Sequence, residues 1–403
     1  VKIGHGTPGR YCALAGIPEE SDLRQGLDFR LPQYRREVFL RFYEFHLKYR
    51  SHPGCVYYLM PYLAERYGWD EEARLWFAFI NGNTQNPVTS LIIFRRFPTV
   101  HGLCLVALKA WWQEFSRRLA FDIDRRYHRT KFVEAVERYQ GLLLGGTQRG
   151  FFHQFLRGDD LGENFARLWW VVREYFLYFG RLSAFSYLEY LRVMGLPLDC
   201  NDLFLEDLSG SKSHRNGLCK VLGRDDLDWH EGNSTGFDGH YSPAVMRWLK
   251  AEAAGLLKEA GVRLVDRDFS GDVSYFTMES ALCTYKSWHR PNRRYPNVYN
   301  DMLHGRIRVG EGAWPEEDLA MFWEARRDRL PAHLRLEDNP GDVGVKPEKQ
   351  NHYLLTGEPV MMDQDWPCFQ NGYNDRVRKA GLDGSIGQGP VRQGAEVGVR
   401  ECV

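Results

Sequence analysis

The 403-residue chain has no apolar run of about 18 residues, the length a membrane-crossing helix needs, and no signal-peptide pattern. A membrane-spanning or secreted protein is therefore not expected. It also lacks net charge. Its 53 basic and 53 acidic residues cancel, so any nucleic-acid surface must be a local patch. The eight cysteines, Cys12, Cys55, Cys104, Cys200, Cys219, Cys283, Cys368 and Cys402, include no C-x-x-C pair and no regular spacing, a pattern that favours free thiols in a reducing cytoplasm. No Walker A loop, Rossmann glycine fingerprint, H-E-x-x-H or G-x-S-x-G occurs, which leaves the common nucleotide, zinc and hydrolase templates without support. His128, His153, His230, His240 and His304 show no ligand spacing, so no metal centre is expected. Period-2 strands and internal repeats are missing as well.

What is present is helical periodicity. With 43% hydrophobic residues the chain can bury a large core, and its pattern predicts an all-α, multi-helix fold with an irregular C-terminal tail. Residues 1–33 read as an irregular arm, 34–200 as one helical subdomain, 201–330 as a second that carries the phosphate-binding and catalytic segments, and 331–403 as an irregular extension. Val38, Phe42 and Phe45 mark one face of the first helix. Asp70, Glu71 and Glu72 open another helix, which Asn81-Gly82 should close, and Asn86 with Pro87 starts the next. Ser242 and Pro243 open a helix expected to end near Lys258 and Gly261, and a last helix is expected over Pro315–Leu330.

Three stretches carry side chains suited to chemistry. In Ser274–Arg308, Met278, Ala281, Leu282 and Tyr285 form an apolar helical stripe beside a row of Glu279, Cys283 and Lys286. Glu279 and Lys286 are about 10 Å apart along the helix, a spacing that suits two sides of a ligand. Arg290, Arg293, Arg294, Tyr295, Tyr299, Asp301 and Arg306 follow, and a carboxylate with a lysine and an arginine cluster suggests an anionic substrate. On composition alone the plainer reading is a solvated helix edge, with Cys283 as packing.

The second stretch, NGNTQN, offers Asn81, Asn83, Gln85 and Asn86. Capping explains Asn81, Gly82 and Asn86, and leaves Asn83 and Gln85 available to a base edge. In the third, Ser209–Gly217, the residues Ser211, Lys212, Ser213, His214 and Arg215 can meet phosphate, although a solvated basic turn is the default. The pairs Arg95–Arg96, Arg117–Arg118 and Arg125–Arg126 read as helix surface, with contact to a nucleic-acid backbone as the alternative for some of them.

The blocks LWFAFINGNTQNPVTS, DLSGSKSHRNGLCKVLG and MESALCTYKSW with RRYPNVYNDM, spread over roughly 35–330, together resemble the bacteriophage alpha-glutamyl/putrescinyl thymine pyrophosphorylases, also described as amino acid:DNA transferases. The resemblance implies an all-α protein distantly related to helix-hairpin-helix DNA glycosylases. It implies a transferase that acts in the cytoplasm of the infected bacterial host on double-stranded phage DNA, after a companion kinase has pyrophosphorylated 5-hydroxymethyluracil. An amino acid or polyamine nitrogen would join the C5 methylene carbon and pyrophosphate would leave.

Under that resemblance Glu279 or Asp301 takes the amine proton. Lys212, His214, Arg215, Lys286, Arg293 and Arg294 meet the leaving group, and Asn83 and Gln85 meet the flipped base. No organic cofactor is implied. A divalent ion bridging the pyrophosphate is chemically compatible, with no dedicated ligand set in the sequence. Two alternatives stay open: a helical DNA glycosylase acting on modified bases, and a non-catalytic DNA-binding scaffold.

Overall fold

Capping chemistry sets where several helices begin. A computed structural model describes residues 32–48, 56–122, 125, 128–206, 213–227, 241–288 and 302–330, and among these there are fourteen α-helices and no strand. Asp70 accepts from the Ala73 amide and opens α3. The Asn86 carboxamide accepts from the Val88 and Thr89 amides, with Pro87 at the first helical position. Asp160 and Ser242 cap two later helices in the same way.

In chain order the helices are α1 (Pro32–Lys48), α2 (Val56–Arg66), α3 (Glu71–Thr84), α4 (Pro87–Arg96), α5 (Leu105–Phe115), α6 (Phe132–Leu143) and α7 (Gln148–His153). They continue with α8 (Leu161–Tyr175), α9 (Arg181–Val193), α10 (Ser213–Val221), α11 (Pro243–Leu264), α12 (Tyr275–Trp288), α13 (Met302–Ala313) and α14 (Ala320–Arg329). Among the described residues, no helix is long and apolar enough to cross a membrane.

Two apolar cores organise them. The first gathers α2–α9 with α13 and α14 around stacked rings such as Phe79 on Tyr139, 4.1 Å apart. The second is built from α1, α10, α11 and α12. Helix α12 serves both. Phe276 enters the first core against Phe165 and Phe185, whereas Met278, Ala281, Leu282 and Tyr285 are wholly buried in the second. The apolar stripe expected from the sequence is thus the seam-facing side of α12, and Val38, Phe42 and Phe45 of α1 pack in the second core as well.

Several boundaries differ from the sequence expectation. Helix α3 does not stop at Asn81-Gly82 but continues to Thr84, where Gln85 caps it in the left-handed conformation; Gly82 instead serves packing, since a Cβ there would lie 3.0 Å from the Tyr187 ring of α9. Helix α11 runs through Lys258 and Gly261 to Leu264. The last helix starts at Ala320, since Glu316 and Glu317 are drawn into ion pairs with Arg118 and Arg95 before it. Those two arginines are paired rather than free surface charges. Arg125 is no surface residue at all: it is fully buried, donates to the Gly82 and Tyr178 carbonyls and stacks on Phe179, and several donors in one plane make such a position tolerable. The first helix starts at Pro32, two residues inside the expected arm; the rest of the arm and the tail fall on residues outside the described ones.

Candidate active site

A glycine brings the second and third sequence blocks together. A Cβ on Gly217 of α10 would lie 2.1 Å from the Leu282 carbonyl oxygen of α12, so the two backbones touch there and only glycine fits. This contact lays Ser213 and His214 beside the Glu279, Cys283 and Lys286 row. Lys286 Nζ donates to Ser213 Oγ at 3.3 Å. His214 Nδ1 is 3.4 Å from Glu279 Oε1.

Glu279 is 5% exposed, so the solvated-edge reading does not hold for it. The third member of its cluster comes from another element. Arg181, in the first turn of α9, places Nη1 3.8 Å from Glu279 Oε1, while its Nη2 donates to the Leu203 carbonyl and to His214 Nε2 at 3.0 Å. A guanidinium only donates, which makes Nε2 the acceptor and puts the imidazole proton on Nδ1, facing the carboxylate. Burial, with the positive charges of Arg181 and Arg215 added, holds the His214 pKa well below its ordinary value and keeps the ring neutral. Arg215 itself turns away to donate to the Leu205 carbonyl and lie over the Tyr241 ring.

His214, Glu279 and Cys283 offer ligand atoms within 4.8 Å of one another, a grouping that the histidine spacing did not reveal. One feature weighs against a divalent ion there: the Arg181 guanidinium already supplies a fixed positive charge beside Glu279. Burial, with the neighbouring Glu279 carboxylate, pushes the Cys283 thiol well up.

The amide connector packs on α9, the helix that also carries Arg181 of this cluster. Most of its side chains are used in structure. Asn81 accepts from Ser90 Oγ, Asn83 Nδ2 donates to the Phe79 carbonyl, and Asn86 is the cap of α4. Gln85 differs. It ends α3 in the left-handed conformation at φ 51°, is 2% exposed, and its Oε1 meets no donor among the described residues. The start of α9 joins connector to cluster: Phe179 and Tyr187 pack on Gly82, and Arg181 follows Phe179 by two residues.

Ser211, Lys212, Arg293, Arg294, Tyr295, Tyr299 and Asp301 lie outside the described residues. Arg181 was missed in the sequence. A signal existed, because a basic residue in a first helical turn opposes the helix dipole and needs a reason to be there. Arg306, one of the arginines of the cluster read from the sequence, lies on α13. It donates through Nε to the Asp122 carboxylate.

Residues 57–294 match a family described as amino acid:DNA transferase. A serinyltransferase of Salmonella phage ViI is 30% identical over 298 residues, which cover 72% of each chain. No solved structure matches the chain.

Proposed function

The chain belongs to the amino acid:DNA transferase family, and on that premise we propose that it replaces the pyrophosphate of 5-(pyrophosphomethyl)uracil in DNA with the nitrogen of an amino acid. A bond forms from that nitrogen to the C5 methylene carbon. The methylene C–O bond breaks, and pyrophosphate leaves with the electron pair. Serine is the first donor to test, from the name of the phage relative. A kinase acting on 5-hydroxymethyluracil in DNA must supply the activated base, and a phage-infected bacterium is the setting in which both would work.

The observation that carries this reading is the buried Arg181–His214–Glu279 cluster formed where α10 meets α12. An α-amino group is mostly protonated at neutral pH, so a carboxylate must take its proton before the nitrogen can attack. Glu279 is that base. His214, neutral and with Nδ1 3.4 Å from Oε1, and Arg181 flank its carboxylate. Lys286, held by Ser213, meets negative charge as pyrophosphate departs, with Lys212, Arg293 and Arg294 as the further cations. The target base is flipped from the duplex, at a cost of about a few kcal/mol.

The test is to incubate the protein with duplex DNA containing 5-(pyrophosphomethyl)uracil and each common amino acid in turn. Release of pyrophosphate and a heavier nucleoside by mass spectrometry are expected. No adduct with any amino acid or polyamine would overturn the reading.

A further inference from the structure

Two buried polar groups near the connector are not used by the cluster around Glu279. Arg306 of α13 is 6% exposed, and although its Nε is held by Asp122, neither Nη1 nor Nη2 meets an acceptor among the described residues. Gln85 presents the converse, a buried amide oxygen without a donor among those residues, on a non-glycine residue held at positive φ. Both arrangements call for a polar partner. Buried polar groups are normally satisfied, and strained backbone tends to persist where it serves a site.

Asp122 ties the two together. Its amide donates to the Thr84 carbonyl at 2.8 Å, next to Gln85, while its carboxylate holds Arg306. The supports are rigid on both sides. Gly310, one turn after Arg306, brings α13 so close to α4 that a Cβ would lie 2.7 Å from Val88 Cγ1, and α4 begins two residues after Gln85.

We propose that Arg306 and Gln85 form the receptor for the zwitterionic head of an α-amino acid, the guanidinium gripping the carboxylate and the Gln85 oxygen accepting from the ammonium. This rests on the transferase reading above and adds the recognition of the donor. A planar fork with two open Nη groups matches a carboxylate in a bidentate manner, which a lysine would not. The pairing of open donors with an open acceptor favours a ligand carrying both charges on groups attached to one carbon. Pyrophosphate brings acceptors only and would leave the Gln85 oxygen unmatched. The receptor assigns Gln85 to the incoming donor rather than to the base edge. It also predicts that simple amines are poor substrates.

Binding of the twenty amino acids to the full-length protein tests this by calorimetry, with and without an unreactive 5-hydroxymethyluracil duplex. Glycine and L-serine are each compared with the amine lacking the carboxylate, methylamine and ethanolamine. At least one amino acid should bind at least tenfold more tightly than its decarboxylated partner. Arg306→Met should erase that difference. If Arg306→Met does not fold, Gln85→Leu should weaken the amino acid about tenfold, and the wild-type comparison stands without any variant. Equal binding of amino acid and amine, no binding of any amino acid, an unaltered preference in folded Arg306→Met, or competitive displacement by pyrophosphate would each overturn the receptor. Amino acid binding without pyrophosphate release from activated DNA would keep the receptor and sink the transferase reading. Product formed equally well from carboxylate-free amines would do the reverse.

Discussion

The side chains around Glu279 form a coupled unit, and their coupling is measurable. Arg181 and Glu279 are both buried, so each supplies the charge that makes the other tolerable there. Arg181→Met or Glu279→Gln alone should destabilise by about 3–5 kcal/mol, because each leaves a buried charge uncompensated. The double variant should cost less than the sum by at least about 1 kcal/mol, which urea unfolding of the four proteins would reveal. Additive effects would show that the pair does not interact. On its proposed role as general base, Glu279→Gln should lower the rate about 10²–10⁴-fold. His214 makes a separate prediction. Its folded pKa is depressed by burial and by Arg181 and Arg215, so below about 6.5 the unfolded chain binds a proton that the folded chain does not. Its contribution is therefore intact above about pH 6.5 and is lost as pH falls through the window beneath it. Unfolding free energy should drop on acidification from pH 7 to 5, and the drop should be shallower in His214→Gln. An equal slope in both proteins would place the titration elsewhere.

Helices show which glycines matter, and the sequence could not rank them. Gly217 and Gly261 both sit inside helices, yet a Cβ on Gly217 would strike the Leu282 carbonyl of α12, whereas a Cβ on Gly261 would meet nothing within 4 Å. Gly217→Ala should destabilise by about 3 kcal/mol or more, since backbone cannot yield as a side chain can. It should also abolish activity by moving His214 away from Glu279. Gly261→Ala should instead stabilise by up to about 1 kcal/mol, the helix-propensity gain where no contact opposes it. Thermal unfolding of the two variants in parallel checks both signs. The same contrast explains what was legible. Periodicity and caps revealed the all-α fold, the α12 stripe and the Asn86–Pro87 start, because those signals are local. Gly82 and Gly261 looked like stop signals, and only the partner helix, or its absence, decides what a glycine is for. Arg181 escaped notice for the same reason: its partners lie 33 and 98 residues away, at His214 and Glu279.

At the scale of the molecule, α12 is where folding and the proposed chemistry meet. Its Phe276 belongs to the core of α2–α9, its Leu282 to the core shared with α1, α10 and α11, and Glu279 lies between them. If the cores were independent, damage to one would leave the other's unfolding unchanged. Because a single helix is buried on both sides, the two should instead unfold together. Phe276→Ala should destabilise by about 3–5 kcal/mol and Leu282→Ala by about 2–5 kcal/mol, both through buried volume lost. The decisive readout is tryptophan fluorescence, which reports mainly the first core through Trp69, Trp76, Trp111 and Trp112. Leu282→Ala sits in the other core, yet it should shift the fluorescence midpoint as far as it shifts the far-UV circular dichroism midpoint. Coincident probes are the mark of one cooperative transition. A fluorescence transition unmoved by Leu282→Ala would show that α12 does not couple the cores, and would remove the structural reason for placing the proposed catalytic cluster on that seam.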